Sequence, residues 1–261
     1  MLLPGRIRER DNGGLGGVHY RCKIEGDAIA HLLYLIIKYG DRIMTAQSLC
    51  RIGVFYDGTF FVYGQMYFYK RDLGWLIFGP FHSLLENLLR EKEQGFTSYK
   101  VVYSGWYQGL HSSNQSNDHQ RRVDRNRHLD LIHAGIEPKY VPMSQSQAEK
   151  GVDVAMAVDA LQVGLEGHID IAVLVTGDGD FVPLVRALMK QGIRVAVAYF
   201  EYETENNRSF INDRLLTICN YAININALER DKKYQPMFKS LFRVNDRKGI
   251  EDGNYYKRRV I

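Results

Sequence analysis

Apolar residues along this chain fall into two alternating patterns. Short, nearly continuous runs are separated by longer segments with helical period. The run IAVLV, Ile171 to Val175, is apolar at every position, as expected of a strand covered on both faces of a parallel sheet. Arg51 to Asp57 (RIGVFYD), Tyr99 to Tyr107 (YKVVYSGWY), Ile136 to Pro142, Arg194 to Tyr199 (RVAVAY) and Ala222 to Ala227 read as further strands. Between them, Phe81 to Glu93 places Leu84, Leu85, Leu88 and Leu89 on one stripe at the 3.6 period. Asp118 is positioned to cap a helix running to about Ala134 after a polar loop from Gly109. Val152 to Leu165 puts Val154, Val158, Leu161 and Leu165 on one face. Phe181 to Gln191, with Pro183 in its first turn and Gly192 as its stop, and Phe210 to Tyr221 complete the helices. Strands alternating with helices predict an α/β fold: a three-layer α/β/α sandwich around a parallel sheet.

The ends of the chain break this pattern. Residues 1–43 are rich in glycine and arginine and hold no sustained period. They read as a loop-like extension, with Met44 as an alternative start. A regular domain is expected over residues 44–227. Residues 228–261 carry ten basic residues against five acids and read as a basic tail, in which Met237, Leu241, Phe242 and Val244 can form one docked turn.

Composition narrows the picture modestly. Hydrophobic residues make up 45% and charged residues 25% of the 261 positions, the balance of a globular protein. Cys22, Cys50 and Cys219 are dispersed without metal-ligand spacing, which argues for a reducing, cytoplasmic setting over a disulfide framework. No apolar run reaches membrane-spanning length. The net charge of +4 hints at an anionic partner. Self-association is left open.

The chemistry concentrates where strands end. Asp57 closes the RIGVFYD strand, with Gly58 allowing the turn, and Asp178 and Asp180 follow the IAVLV strand after Thr176 and Gly177. Asp153 opens a helix that can face the same edge. Ligands of open α/β sheets bind at the carboxyl ends of strands. Carboxylates gathered there repel one another unless a cation, a proton or a basic group relieves them. Hard oxygen ligands without a Cys/His cluster suit Mg²⁺ or Mn²⁺. Each acid also has a plain structural reading. Asp180 suits a helix N-cap and Asp153 complements a helix dipole, whereas Asp57 and Asp178 have no evident capping duty. Asp159 is expected to be solvated or to sit behind the ligands.

Three motifs, VFYDG, KGVDVAMAVDAL and VLVTGDGDFVPLV, in this order and spacing, resemble the NYN domain family, specifically its LabA-like branch. The resemblance covers about Arg51 to Asn226. It implies a PIN-like fold and metal-dependent ribonuclease activity, with metal-binding acids at Asp57, Asp153, Asp178 and Asp180. Many members carry an asparagine three residues after the first aspartate. Phe60 stands there in this chain, with Thr59 the nearest polar side chain.

Phosphate contacts are expected from Arg121, Arg122 and Arg125 on one face of the HQRRVDRNRHLD helix. Lys150, Arg208, Thr59 and Thr176 are candidates nearer the acids. Tyr103, Trp106 and Tyr107 are candidates for stacking on unpaired bases. Three functions compete: a ribonuclease acting on single-stranded or loop RNA, a catalytically weak RNA- or protein-binding module, and a phosphohydrolase of small phosphoesters. Against the last, no second acid follows Asp57 two residues on.

Overall fold

The computed structural model describes residues 48–110, 118–142, 151–205 and 207–243. The expectations for residues 1–43, for Lys150 and for residues 244–261 lie outside them. In chain order the elements are β1 (Leu49–Asp57), α1 (Gly58–Lys70), β2 (Trp75–Leu76), α2 (Phe78–Lys92), β3 (Ser98–Leu110), α3 (Asp118–His133), β4 (Glu137–Pro142) and α4 (Val152–Leu165). Then come β5 (Ile171–Val175), α5 (Val182–Lys190), β6 (Arg194–Tyr199), β7 (Glu203–Thr204), β8 (Asn207–Arg208), α6 (Asp213–Ile218), β9 (Tyr221–Asn224), α7 (Gln235–Ser240) and β10 (Phe242–Arg243).

Six strands form one parallel sheet in the order β4-β3-β1-β5-β6-β9. The chain builds outward from β1 in one direction through β3 and β4, then returns to β1's other side and builds through β5, β6 and β9. The order therefore reverses between β1 and β5, and such a switch point opens a crevice at the carboxyl ends of the two strands. In register, Tyr56 sits opposite Val175, so Asp57 and Thr176 emerge side by side.

Alternation along the strands divides the core in two. Ile52, Val54 and Tyr56 pack with Ile171, Val173 and Val175 under Phe61, Phe68, Phe81 and Leu85, from α1 and α2. On the other face Phe55, Ala172, Leu174, Val195 and Val197 meet Met156, Ala160, Val185, Leu188 and Leu215, from α4, α5 and α6. The expected three-layer α/β/α architecture is the one observed, with all six anticipated strands in the sheet.

Two local expectations are corrected. The α4 face predicted to be buried is turned out: Val154, Val158 and Leu165 are exposed, and Met156, Ala160, Val163 and Gly164 face the core. This helix is apolar almost all round, so hydrophobicity does not choose its face. Close approach does: a Cβ at Gly164 would lie 2.6 Å from Ile193 and 2.9 Å from Leu188. The helix expected from Phe210 is also shorter. Asn212 caps α6 by accepting a hydrogen bond from the Arg214 backbone N–H at 3.0 Å, leaving Phe210 in the connection before it.

Packing continues past Ala227, where a basic tail was expected to begin. Leu228, Phe238, Leu241 and Phe242 are buried, and β10 pairs antiparallel with β2. No helix among the described residues is long and apolar enough to cross a membrane.

Candidate active site

Asp57 ends β1 and also caps α1. Its Oδ1 accepts the Phe60 N–H at 3.0 Å, and its Oδ2 accepts the Thr176 hydroxyl at 3.3 Å. Gly58 lets the helix start here, because a Cβ at that position would meet the Trp106 indole at 2.7 Å and the Tyr107 carbonyl at 2.8 Å. Trp106 and Tyr107 are therefore floor, fully buried, and neither reaches a base as a stacking platform. Tyr103 is part-buried and hydrogen-bonded to Asp159 at 2.5 Å.

Asp178 has the same double duty two residues beyond Thr176. Its Oδ1 accepts the Asp180 N–H at 2.9 Å, capping the 3₁₀ turn Gly179–Phe181. The capping role expected of Asp180 thus belongs to Asp178, and Asp180 is exposed in the first turn. The belief that strand-end acids have no capping duty fails for both Asp57 and Asp178. A parallel strand that leads directly into a helix or 3₁₀ turn makes its last polar residue the cap.

Thr176 joins the two acids. It is completely buried, donates its hydroxyl to Asp57 and accepts the Asp178 N–H at 3.2 Å. It was expected to touch substrate, but its hydroxyl is buried between the Asp57 carboxylate and the Asp178 backbone. The Gly177 carbonyl accepts the Asn212 N–H at 2.9 Å, and Gly177 itself lies against Phe60 and the Phe210 carbonyl. Phe60 packs on Phe200 with ring centroids 5.8 Å apart. Three residues after Asp57, this chain thus has an apolar wall beside Gly177.

Asp153 lies exposed in the first turn of α4. Asp159, one and two-thirds turns on, belongs elsewhere. It is held by the hydroxyls of Tyr103 and Tyr107 and by Lys139 at 2.8 Å. Burial opposes its ionisation, but these partners keep its carboxyl below the ordinary range. It is a part-buried anchor between α4 and the β3–β4 pair and is not solvated. Sequence spacing offered no sign of this, since all its partners come from other strands.

Among the expected phosphate contacts, Arg121, Arg122 and Arg125 are exposed and line one open depression with Asp118. Arg121 pairs with Asp118 at 2.8 Å. Arg127 turns inward and donates to Gln108 Oε1 at 3.3 Å, the atom that also accepts the Trp106 indole N–H at 3.1 Å. Because β3 runs parallel to β1, the start of α3 stands at the same sheet edge as Asp57. Arg208 is exposed in β8, and Thr59 occupies the first turn of α1.

The donors fit a hard divalent cation in kind: oxygen ligands, with no thiolate or imidazole among them. Among the described residues no group of three His, Cys, Asp or Glu lies close enough to hold a metal ion. Mg²⁺, however, needs only one or two carboxylates, with water and substrate phosphates completing its shell. Asp57 and Asp178, at the switch point, offer carboxylates of that kind.

Comparison with known proteins agrees with this geometry. An uncharacterized protein of Methanocaldococcus jannaschii is 32% identical over 104 residues, covering 40% of each chain. The chain thus spans less than half the length of this relative. The family model described as the NYN domain matches residues 51–226, from the first residues of β1 to just past β9. With its six-stranded parallel sheet and its acids at the switch point, the chain belongs to the NYN domain family of nuclease-type domains, with their PIN-like α/β fold.

Proposed function

We propose that this protein is a Mg²⁺- or Mn²⁺-dependent ribonuclease of the LabA-like branch, hydrolysing phosphodiester bonds in single-stranded or loop RNA in the cytoplasm. The observation that carries the reading is the Thr176 hydroxyl spanning Asp57 and Asp178 at the β1/β5 switch point. Two like charges are built into one rigid loop pair, at the position where such sheets bind ligands. A fold keeps this arrangement at the expense of repulsion, which an occupying cation relieves.

In this reading Asp57 and Asp178 hold the cation, and Asp153 and Asp180 approach it from α4 and the 3₁₀ turn. When bound, the metal lowers the pKa of its water and neutralises charge developing on phosphate oxygens. The chain's own residues do the rest. Thr176 sets the separation of the carboxylates, and the Phe60 wall keeps water from one side of the loop. Arg121, Arg122, Arg125 and Arg208, with Thr59 and Lys150, hold backbone phosphates without reading sequence.

A catalytically weak RNA- or protein-binding module is the second reading. It is favoured by Phe60 replacing the family's amide and by the lack of a closed three-acid cluster among the described residues.

A turnover assay on end-labelled single-stranded RNA with Mn²⁺, with and without EDTA, separates the two. The first reading expects cleavage that EDTA abolishes. Binding without cleavage establishes the second, and phosphate release from small esters in place of RNA cleavage points to a phosphohydrolase.

A further inference from the structure

The aromatic residues that sequence reading offered for stacking are buried or hydrogen-bonded inside the sheet, yet one ring stands in the open beside the acids. Phe210 is 75% exposed, more than any other large hydrophobic residue among those described. Its backbone is not loose. On one side Ser209 donates its N–H to the Tyr202 carbonyl at 3.0 Å and its hydroxyl oxygen accepts the Tyr202 N–H at 2.9 Å. On the other, Asn212 is bonded to the Gly177 carbonyl at 2.9 Å. The Phe210 carbonyl lies directly against Gly177, the residue before Asp178. A large apolar side chain is thus held out into water by a segment fixed at both ends, next to the acidic pair.

The neighbours of Phe210 identify its occupant. Arg208 precedes it and Arg214 follows, both exposed, with Asp213, also exposed, between the ring and Arg214 in sequence. One aromatic ring bracketed by arginines is a poor docking patch for an apolar protein surface, which needs contiguous area. It is the pairing that single-strand binders use, a π-face for a base and cations for the backbone on either side.

We propose that Phe210 is the base-stacking residue of the site, seating an unpaired nucleobase next to the scissile phosphate, with Arg208 and Arg214 on the flanking phosphates. The inference rests on RNA being the substrate. It adds that recognition requires a base outside a helix, because a base within a duplex has both faces covered by its stacked neighbours.

The test is equilibrium binding of the full chain to a short single-stranded RNA containing 2-aminopurine, in EDTA so that no cleavage intervenes. Stacking on Phe210 quenches the probe. Phe210→Ala is expected to weaken binding on the order of ten- to a hundredfold and to abolish the quench, with the slope of affinity against salt unchanged. Phe210→Trp is expected to retain both affinity and quench. Arg208→Gln is expected to do the converse of Phe210→Ala, lowering the salt slope by about 0.7 while keeping the quench. Wild-type affinity and quench in Phe210→Ala overturn the stacking role and leave the ribonuclease reading standing. Failure of the wild-type chain to bind the RNA removes the stacking proposal, whereas the absence of EDTA-sensitive cleavage removes the ribonuclease reading.

Discussion

At the scale of single residues, the proposed site rests on a buried hydroxyl. Thr176 is buried and serves Asp57 and Asp178 at once. Thr176→Val keeps the shape and deletes both hydrogen bonds. It should cost about 1–2 kcal/mol of stability, read as a lower denaturation midpoint, and reduce kcat on RNA about a hundredfold through misplaced carboxylates. Activity within twofold of wild type would show that the hydroxyl does not set their geometry. A second residue governs acid tolerance. His82 is part-buried in α2, its shielded Nε2 has no hydrogen-bond partner, and desolvation lowers its pKa from 6.5 to about 4. Above pH 6.5 it is neutral in both folded and unfolded chains. Below that, the unfolded chain takes up the proton first, so stability falls with pH and the loss reaches on the order of 3 kcal/mol at pH 4. In His82→Leu this part of the decline between pH 6.5 and 4 should vanish, as measured by urea unfolding at each pH.

At the scale of elements, the strands and the leucine stripe of α2 were legible, and the face of α4 was not. The run Ile171 to Val175 announced its double burial because nothing but an interior strand carries five apolar residues before a Thr-Gly-Asp turn. In α4 the same logic failed, since valines, leucines, alanines and a methionine surround the whole helix, and the small Ala160 and Gly164 decided which side could approach the sheet. Asp159 shared in that misreading: once the helix turned, its carboxylate met Lys139 and two tyrosines from other strands. Met156→Ala should therefore destabilise the protein by about 2–5 kcal/mol, whereas Val158→Lys should stay within about 0.5 kcal/mol of wild type. Chemical denaturation of the two variants checks the assignment, and the opposite ranking would restore the face predicted from periodicity. The same limit hid Phe210. Its exposure follows from the Asn212 cap that shortens α6, and a helix read on from Phe210 places the ring on an amphipathic face.

At the scale of the molecule, the sequence named candidate acids and the topology brings two of them to neighbouring strand ends. Asp57, Asp153, Asp178 and Asp180 were nameable from strand ends and motif spacing. That Asp57 and Asp178 follow one another at the ends of neighbouring strands, where the order of the sheet reverses, depends on the 120 residues between them folding out to β4 and back, and no local pattern records that. The continuation of the core past Ala227 was hidden for a related reason. The docked turn expected around Leu241 and Phe242 is part of it, but the pairing of β10 with β2, more than 160 residues upstream, leaves no local trace. The central claim is that this switch point is a metal-dependent nuclease centre. Its most direct test is RNA cleavage by purified Asp178→Asn in saturating Mn²⁺, with thermal unfolding recorded on the same sample. The amide keeps the cap's oxygen and removes the charge a cation needs, so the variant should unfold at or slightly above the wild-type temperature and show no EDTA-sensitive cleavage. Wild-type turnover in that folded variant would contradict the assignment.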